Sequence, residues 1–287
     1  MLISVVIPTF NRAFFLKSAI DSVLEQSYSH FELIVVDDYS TDDTKELVCS
    51  YKDERIRYLQ NRNVKGAQGA RNTGLNEAVG DWIAMLDSDD VWFPHRLEEV
   101  VQSLGSASED VVGVVTAYAI YDFESQRTLK VRIPKKNRYD SYKEIFYMNS
   151  LGGFSMFVFK RKTGLDIGGF DERFPALQDM DFYISILKKG AITVVPNKLV
   201  LQRISSNDRI STDFSKKLTG AQLLENKYFP LIKDDFRLRC RSKARIILFY
   251  RKTYGTMEVY HMFWMIPMLI FDFPSFVTLL KSIIKNQ

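Results

Sequence analysis

The amino-acid sequence predicts an α/β fold with a mostly parallel central sheet, helices on both faces of the sheet, and a helical appendage at the C-terminal end. Early in the chain, short apolar, β-branched runs alternate with segments whose apolar residues recur at helical spacing. This alternation is typical of parallel sheets, because neighbouring parallel strands need a crossover connection that is usually a helix. After about residue 205 the sequence becomes basic and helical in pattern. A chain of 287 residues is long enough for one large domain and a smaller addition.

The predicted elements give the following domain organisation. Strands are expected at residues 2–7, 32–36, 55–60 and 82–86, and helices at residues 13–26, 42–51 and 68–78, with Thr41 as a candidate N-cap. The pattern is less regular further on, with short apolar runs at residues 111–120, 156–159 and 192–195 and a helix at about residues 180–189. We therefore predict one domain at residues 1–205, with halves at 1–110 and 111–205, and a helical region at residues 206–287.

The overall composition argues against a nucleic-acid-binding protein, a disulfide framework and a zinc site, and it favours no class of protein strongly. A net charge of +4 is mild for this length and does not indicate nucleic-acid binding. Cys49 and Cys240 are the only cysteines, which argues against a disulfide framework or a zinc site and favours a reducing cytosol. The N-terminus runs directly into the first predicted strand and does not resemble a signal peptide.

A strand that ends in several carboxylates is the strongest local signal. The apolar residues 82–86 are followed by Asp87-Ser88-Asp89-Asp90. Adjacent carboxylates repel one another unless a positive charge lies between them, and Mg²⁺ or Mn²⁺ prefers such oxygen ligands. The motif therefore predicts a divalent-cation site. The alternative is an acidic turn that only begins the next helix.

Two further polar clusters follow predicted strands. Pro8-Thr9-Phe10-Asn11 comes after the first strand, and Asp37-Asp38 comes after the second. Ligands of parallel α/β sheets bind at the carboxyl ends of the strands, where an acidic residue can accept hydrogen bonds from a ribose or base. Asp38 is therefore a candidate nucleotide-binding residue. A helix-capping turn is the alternative.

Six sequence blocks together resemble the signature of family 2 glycosyltransferases, which have the GT-A fold, a Rossmann-like arrangement. The resemblance covers about residues 2–203. The blocks, in chain order, are Ser4-Val5-Val6-Ile7-Pro8-Thr9-Phe10-Asn11-Arg12, Glu32-Leu33-Ile34-Val35-Val36-Asp37-Asp38-Tyr39-Ser40, Gly69-Ala70-Arg71-Asn72-Thr73-Gly74, Asp87-Ser88-Asp89-Asp90, Gly168-Gly169-Phe170-Asp171-Glu172 and Gln178-Asp179-Met180-Asp181.

The resemblance implies a role for each matching site residue. Asp38 is expected to read the base, Arg71 to contact the nucleotide-sugar, Asp89 and Asp87 to hold the metal, and Asp179 to act as catalytic base. The remaining donor-binding residues implied are Pro8, Thr9, Phe10, Asn11 and Ser88. The family has a Glu-Asp pair where this chain has Gln178 and Asp179, which weakens any role for a second carboxylate there. Alternatively, Asp179 and Asp181 only place negative charge at a helix N-terminus.

The family further implies an inverting enzyme that uses Mn²⁺ or Mg²⁺. The expected reaction transfers a hexose from a nucleotide-sugar, with UDP favoured, to a glycan or lipid-linked saccharide in surface-polysaccharide synthesis. The sequence lacks the Gln-x-x-Arg-Trp motif of processive synthases, so one transfer per encounter is expected. Rival hypotheses are a sugar nucleotidyltransferase, which would normally carry a Gly-rich loop near the N-terminus, and a non-catalytic nucleotide- or glycan-binding protein.

The C-terminal region predicts contact with a membrane surface. A basic cluster from Arg237 to Arg245 precedes an apolar stretch at residues 259–271, which contains Pro267 and ends before Asp272. The stretch is shorter than the roughly 20 apolar residues of a membrane span. We expect peripheral binding to the anionic cytoplasmic face, with a solvated helix face as the alternative for the cluster. Arg203, Ser205 and Ser206 are expected after the last strand of the domain, either in a loop that closes over the diphosphate or in a linker.

Overall fold

The computed structural model describes residues 1–147, 149–204, 213–255 and 263–284. These residues form two units. The first contains Met1–Tyr142, Ser150–Glu172 and Phe182–Ser206, and the second contains Lys143–Asn149, Arg173–Asp181 and Asn207–Gln287, in each case as far as the residues are described. The sequence places the division near residue 205; the structure also assigns two internal segments, 143–149 and 173–181, to the second unit.

The strands and helices have the following bounds. The strands are β1 (Ile3–Thr9), β2 (Phe31–Asp37), β3 (Ile56–Gln60), β4 (Trp82–Met85), β5 (Val91–Trp92), β6 (Val111–Asp122), β7 (Arg127–Arg132), β8 (Arg138–Tyr139), β9 (Phe157–Lys160) and β10 (Ala191–Ile204). The helices are α1 (Ala13–Leu24), α2 (Thr44–Ser50), α3 (Ala67–Glu77), α4 (Arg96–Gly105), α5 (Tyr142–Tyr147), α6 (Arg161–Asp166), α7 (Gln178–Leu187), α8 (Phe214–Ile232), α9 (Phe236–Tyr254), α10 (Met265–Phe271) and α11 (Phe273–Ile284).

The first unit is built on one sheet with the strand order β3-β2-β1-β4-β9-β6-β10-β5. β1 pairs in parallel with β2 and β4, and β6 pairs in parallel with β10. β9 lies between β4 and β6 and is antiparallel to both. Every residue of β1 and β2 is buried, as expected for strands covered by helices on both faces. The predicted α/β fold is thus confirmed.

The register of β1 against β2 brings the first two polar clusters together. Thr9 lies opposite Asp37, so both strands end at the same level. α3 packs closely over β1 because Gly74 has no side chain; a Cβ there would collide with Val6. Because β1 is parallel to both β2 and β4, the carboxyl ends of the three strands lie at the same edge of the sheet.

Some predicted details differ in the structure. α2 begins at Thr44 rather than at residue 42, and Thr41 does not cap it: the Thr41 amide donates to Asn11, while Asp42 accepts hydrogen bonds from the amide and hydroxyl of Thr44. β10 extends over 14 residues and has register shifts around Pro196. A strand that contains proline pairs irregularly because proline has no amide hydrogen.

The second unit contains the C-terminal helices. α9 carries Cys240 and Ile247, which form a small core with Met268 of α10 and Leu279 of α11. In the portions of the chain that the structure describes, no helix combines the length and apolar character that membrane crossing requires. Ser205, Ser206 and residues 259–262 of the predicted apolar stretch lie outside the described residues.

Candidate active site

Two turns at the sheet edge adopt an uncommon backbone conformation. Asn11, just after β1, has φ of 49°, and Tyr39, just after β2, has φ of 66°. The turns are joined: the Asn11 amide donates to Ser40 Oγ at 2.8 Å, and the Thr41 amide donates to Asn11 Oδ1 at 2.7 Å. Non-glycine residues in this region cost about 1–3 kcal/mol each and cluster at functional sites.

Asp38 is buried between these turns and the start of α3. Its Oδ1 accepts a hydrogen bond from Asn61 Nδ2 at 2.7 Å, and its Oδ2 accepts one from the Gly66 amide at 2.8 Å. The Asp38 amide donates to the Thr9 carbonyl oxygen at 2.9 Å. Asp38 therefore fixes the loop that leads into α3, and its oxygens keep further lone pairs for a ligand.

Arg71 extends from α3 to the acidic motif. This buried guanidinium donates to Asp87 Oδ1 at 2.6 Å and to Gln68 Oε1 at 3.1 Å, and lies 4.5 Å from the centre of the Phe154 ring. Among the residues that the structure describes, Arg71 Nε and the buried hydroxyl of Thr9 have no hydrogen-bond partner. Buried polar atoms without partners are uncommon, so this edge of the sheet retains polar groups to which a ligand can bind.

Asp89 is paired with Arg12, whose Nη1 lies 2.5 Å from Asp89 Oδ2. Burial raises the pKa of Asp89 and the neighbouring charge of Asp87 raises it further, while Arg12 opposes both effects. The negative charge of this carboxylate is therefore disfavoured until more positive charge reaches it.

Ser155 hydrogen-bonds to the acidic motif, a contact that no local sequence pattern indicates. The Ser155 hydroxyl accepts from the Asp87 amide at 3.0 Å, and its carbonyl oxygen accepts from Trp92 Nε1 and Arg96 Nη2, each at 3.0 Å. Burial raises the pKa of Asp90 well above its ordinary value, and the neighbouring charges of Asp89 and Asp87 raise it further. The hydrogen bond from Ser155 lowers the pKa but does not offset these effects.

Arg203 lies within β10 rather than in the loop or linker expected after the last strand, and it also binds the acidic motif. Its amide donates to Asp90 Oδ1 at 3.0 Å and its Nε donates to the Asp89 carbonyl oxygen. Its remaining nitrogens donate to Ser18 Oγ at 2.6 Å and to the Phe15 carbonyl oxygen at 3.2 Å. The backbone of Asp89-Asp90 is thus held in place by the sheet and α1.

The other predicted donor-binding residues lie on the first unit as well. Pro8 is buried within β1, and Phe10 is exposed, with Lys65 Nζ 4.9 Å from its ring centre. Ser88 is buried between the two metal-site candidates.

Asp179 belongs to the second unit. Its Oδ2 accepts a hydrogen bond from Asn149 Nδ2 at 2.6 Å. Burial lowers the pKa of Arg245 to about 10, and Arg241 lowers it further, while the Asp179 charge acts in the opposite direction. Leu177, two residues earlier, has φ of 62°.

Asp181 differs from Asp179 in its surroundings. Asp181 is buried, forms an ion pair with Lys227 at 2.8 Å, and accepts a hydrogen bond from the Tyr228 hydroxyl at 2.7 Å. Asp181 therefore has a structural role.

A family model described as Glycosyl transferase family 2 matches residues 4–163. The chain belongs to this family. The matched part contains the donor-site candidates of the first unit; Asp179 and Arg203 lie beyond it.

Two curated relatives support the family assignment. Over 97 residues, 34% of this chain and 38% of the relative, the chain is 46% identical to "UDP-Glc:alpha-D-GlcNAc-diphosphoundecaprenol beta-1,3-glucosyltransferase WfgD" of Escherichia coli. It spans well under two thirds of that enzyme. Over 99% of this chain and 94% of the relative, it is 28% identical to "GalNAc(5)-diNAcBac-PP-undecaprenol beta-1,3-glucosyltransferase" of Campylobacter jejuni.

Two solved structures share the fold of this family 2 chain. Residues 1–349 of S. aureus TarS, in complex with UDP-GlcNAc, match with a TM-score of 0.66 at 18% identity, over 100% of this chain and 93% of that one. The mannosyltransferase PcManGT of Pyrobaculum calidifontis, with GDP-Man and Mn²⁺, matches with a TM-score of 0.61 at 19% identity, over 99% and 86%. The predicted GT-A fold is confirmed.

The two candidate metal ligands of this family 2 chain, Asp87 and Asp89, fit a divalent cation. Asp87 and Asp89 offer carboxylate oxygens, the ligands that Mg²⁺ and Mn²⁺ prefer, and the raised pKa of Asp89 reflects a need for positive charge. Within the described parts of the chain, no group of three or more His, Cys, Asp or Glu side chains is arranged to hold a metal. Typical Mg²⁺ sites use one or two carboxylates together with substrate phosphates and water, and this pair of aspartates matches that type.

Proposed function

We propose that this glycosyltransferase transfers one hexose, with inversion, from a UDP-sugar to a hydroxyl group of a lipid-linked saccharide at a membrane surface. The observation that carries the proposal is the convergence of Thr9, Asp38, Arg71, Asp87 and Asp89 at one sheet edge in a family 2 chain. The unpartnered atoms there, Thr9 Oγ1 and Arg71 Nε, are suited to bind oxygens of a nucleotide.

The acceptor and donor classes are inferred from the relatives. The names of both curated relatives specify an undecaprenol-linked acceptor and a glucosyltransferase activity, and one of them specifies UDP-Glc. The fold neighbour TarS was solved with UDP-GlcNAc. These names support a UDP-sugar and a saccharide on a lipid diphosphate for this chain, in the synthesis of a cell-surface polysaccharide.

Asp87 and Asp89 would hold Mn²⁺ or Mg²⁺, which would neutralise the charge that develops on the departing diphosphate. Arg71 lies 2.6 Å from Asp87, Arg203 donates to the Asp89 carbonyl oxygen, and Ser155 accepts from the Asp87 amide. The carboxylates are therefore oriented before the donor binds, which reduces the cost of reorganisation.

Asp179 is proposed to remove the proton from the attacking hydroxyl, which inversion requires of one carboxylate. Asn149 orients its Oδ2. Asp181 is already neutralised by Lys227 and is not a candidate for this step.

A thermal-shift titration with UDP, GDP, CMP and dTDP, each with and without Mn²⁺ or Mg²⁺, tests the donor site. A ligand that binds only the folded state raises the melting temperature. We expect UDP with metal to raise it in the wild type and in Asp53→Ala, a matched change at the surface pair of Asp53 and Arg55. We expect no such shift in Asp89→Ala. If no nucleotide stabilises the folded wild type, the non-catalytic hypothesis gains weight over the transferase proposal.

A further inference from the structure

The described residues 263–284 have two different faces. On one face, Met268 and Leu279 are buried against Cys240 and Ile247 of α9, and Trp264 packs against the same core. These contacts fix the orientation of α10 and α11 on the second unit.

The other face of α10, together with the residues that flank this helix, is apolar and exposed. We call it the apolar face; it consists of Phe263, Ile266, Leu269, Ile270 and Phe273, with exposed fractions of 70%, 65%, 47%, 68% and 57%. Within α10, positions 266, 269 and 270 recur at the three- and four-residue spacing of one helix face, and Phe263 and Phe273 flank the helix on either side. Helices of water-soluble proteins usually carry polar side chains on that side, and a contiguous exposed apolar patch marks an interaction site.

The charges around the apolar face favour an anionic partner. Asp272 and Lys281 are the only ionisable residues in 263–284. Asp272 is buried, and its Oδ2 lies 2.7 Å from Arg241 Nε, close enough for ionic attraction although the angle is not that of a hydrogen bond. Across residues 213–255 and 263–284, lysine and arginine outnumber aspartate and glutamate twelve to five.

The basic cluster predicted as the membrane contact is used largely inside the second unit. Arg241 pairs with Asp272, Lys243 pairs with Glu225 at 2.8 Å, and the half-buried Arg245 donates to the Phe146 carbonyl oxygen at 2.7 Å. Arg239 lies over the Phe236 and Trp264 rings, 5.6 Å from each ring centre. These four residues therefore have partners within the second unit, and the expectation that Arg237–Arg245 contacts a membrane stays a prediction.

We propose that the apolar face inserts into the interfacial layer of an anionic lipid bilayer. α10 has 7 residues and is about 10 Å long, so it lies along the surface as amphipathic helices do. A second copy of the chain is a poorer fit. One side of a stable dimer buries about 800 Å², whereas five partly exposed side chains supply on the order of 500 Å².

This inference deepens the proposed function and rests on it in part, because a lipid-linked acceptor lies in a membrane. Its test needs neither sugar nor catalysis. Full-length protein is floated with vesicles that contain phosphatidylglycerol and, separately, with vesicles of phosphatidylcholine alone. We expect binding to the anionic vesicles and weaker binding to the neutral ones.

The deciding variant is Ile266→Asn/Ile270→Asn, which changes two well-exposed side chains and leaves the charge unchanged. We expect its partitioning onto anionic vesicles to fall roughly tenfold or more, with an unchanged melting temperature. The matched control is Leu129→Asn/Val131→Asn, an exposed apolar pair on β7, which should bind like the wild type.

Three outcomes would overturn the proposal: wild-type binding by Ile266→Asn/Ile270→Asn, loss of binding only in the β7 control, or a lipid-free dimer in sedimentation velocity that this helix variant abolishes. The UDP thermal shift is measured on the same samples. Vesicle binding without a UDP-dependent rise in melting temperature would support the membrane-binding proposal and count against the donor-site proposal. Failure of one proposal can therefore be distinguished from failure of the other.

Discussion

At the scale of single residues, two guanidinium groups balance the charge of the acidic motif. Arg71 pairs with Asp87 and Arg12 pairs with Asp89. The Asp87 pair is well shielded because the Arg71 side chain is 6% exposed, whereas the Asp89 pair reaches solvent, with Arg12 at 30%. Ion pairs near solvent are weak, so Arg12 is the partner that a divalent cation can displace.

We predict that Arg12→Gln binds Mn²⁺ more tightly than the wild type, by about threefold to tenfold, in the absence of nucleotide. The substitution removes a competing cation and makes the local potential more negative. Free Mn²⁺ is measured by electron paramagnetic resonance. Arg55→Gln, at the comparably exposed pair with Asp53, should leave the affinity unchanged. Equal or weaker binding by Arg12→Gln would show that Arg12 does not compete with metal.

At the scale of elements, one buried carboxylate joins the strands that carry the site. Glu32 of β2 accepts from the Ser4 hydroxyl of β1 at 2.6 Å, from the Val79 amide at 2.7 Å, and from Arg57 of β3 at 3.0 Å. Burial by itself would raise the pKa of Glu32, but these hydrogen bonds outweigh burial and hold the pKa below its ordinary value.

We predict that Glu32→Gln lowers the free energy of unfolding by about 1–3 kcal/mol at neutral pH, since charged hydrogen bonds are lost from a buried site. Because the folded-state pKa is depressed, this stabilisation is present above the ordinary value of 4.5 and is lost as the pH falls through the folded-state value. The difference between wild type and variant should therefore shrink below about pH 4.5.

Urea unfolding across this pH range measures the effect, with Glu54→Gln, at an exposed side chain, as the control. A difference that stays constant as the pH falls would mean that Glu32 contributes through packing rather than through its charge.

Sequence patterns predict the elements that depend on local signals, and the site residues named from the same patterns stay predictions. β1, β2 and β4 are short apolar runs, and the turns after them carry the polar residues of the motif. Ser155, by contrast, lies 68 positions from the Asp87 amide that it binds, and no local pattern indicates that contact. The length of β10 is likewise not indicated by the sequence, because Pro196 interrupts its apolar pattern.

At the scale of the whole molecule, the two units hold residues for different parts of the proposed reaction. The donor and metal candidates lie in the first unit, and Asp179 lies in the second. No change in composition marks residues 173–181 as part of the second unit, which is why the sequence placed them in the larger domain. Binding and proton removal should accordingly be separable by substitution.

We predict that Asp179→Asn reduces glycosyl transfer at least about 100-fold, while the dissociation constant for UDP-glucose stays close to the wild-type value. A general base contributes in the transition state and little to the ground-state complex. Transfer is measured as UDP release with a synthetic GlcNAc-diphospholipid, and donor binding by calorimetry with metal present. Asp181→Asn is the matched control on the same helix: it breaks the pair with Lys227, so it should lower the melting temperature while the folded enzyme remains active. Loss of donor affinity in Asp179→Asn would show that Asp179 is not the base. So would the opposite result, in which Asp179→Asn stays active but loses thermal stability while Asp181→Asn loses activity; Asp179 would then have a structural role.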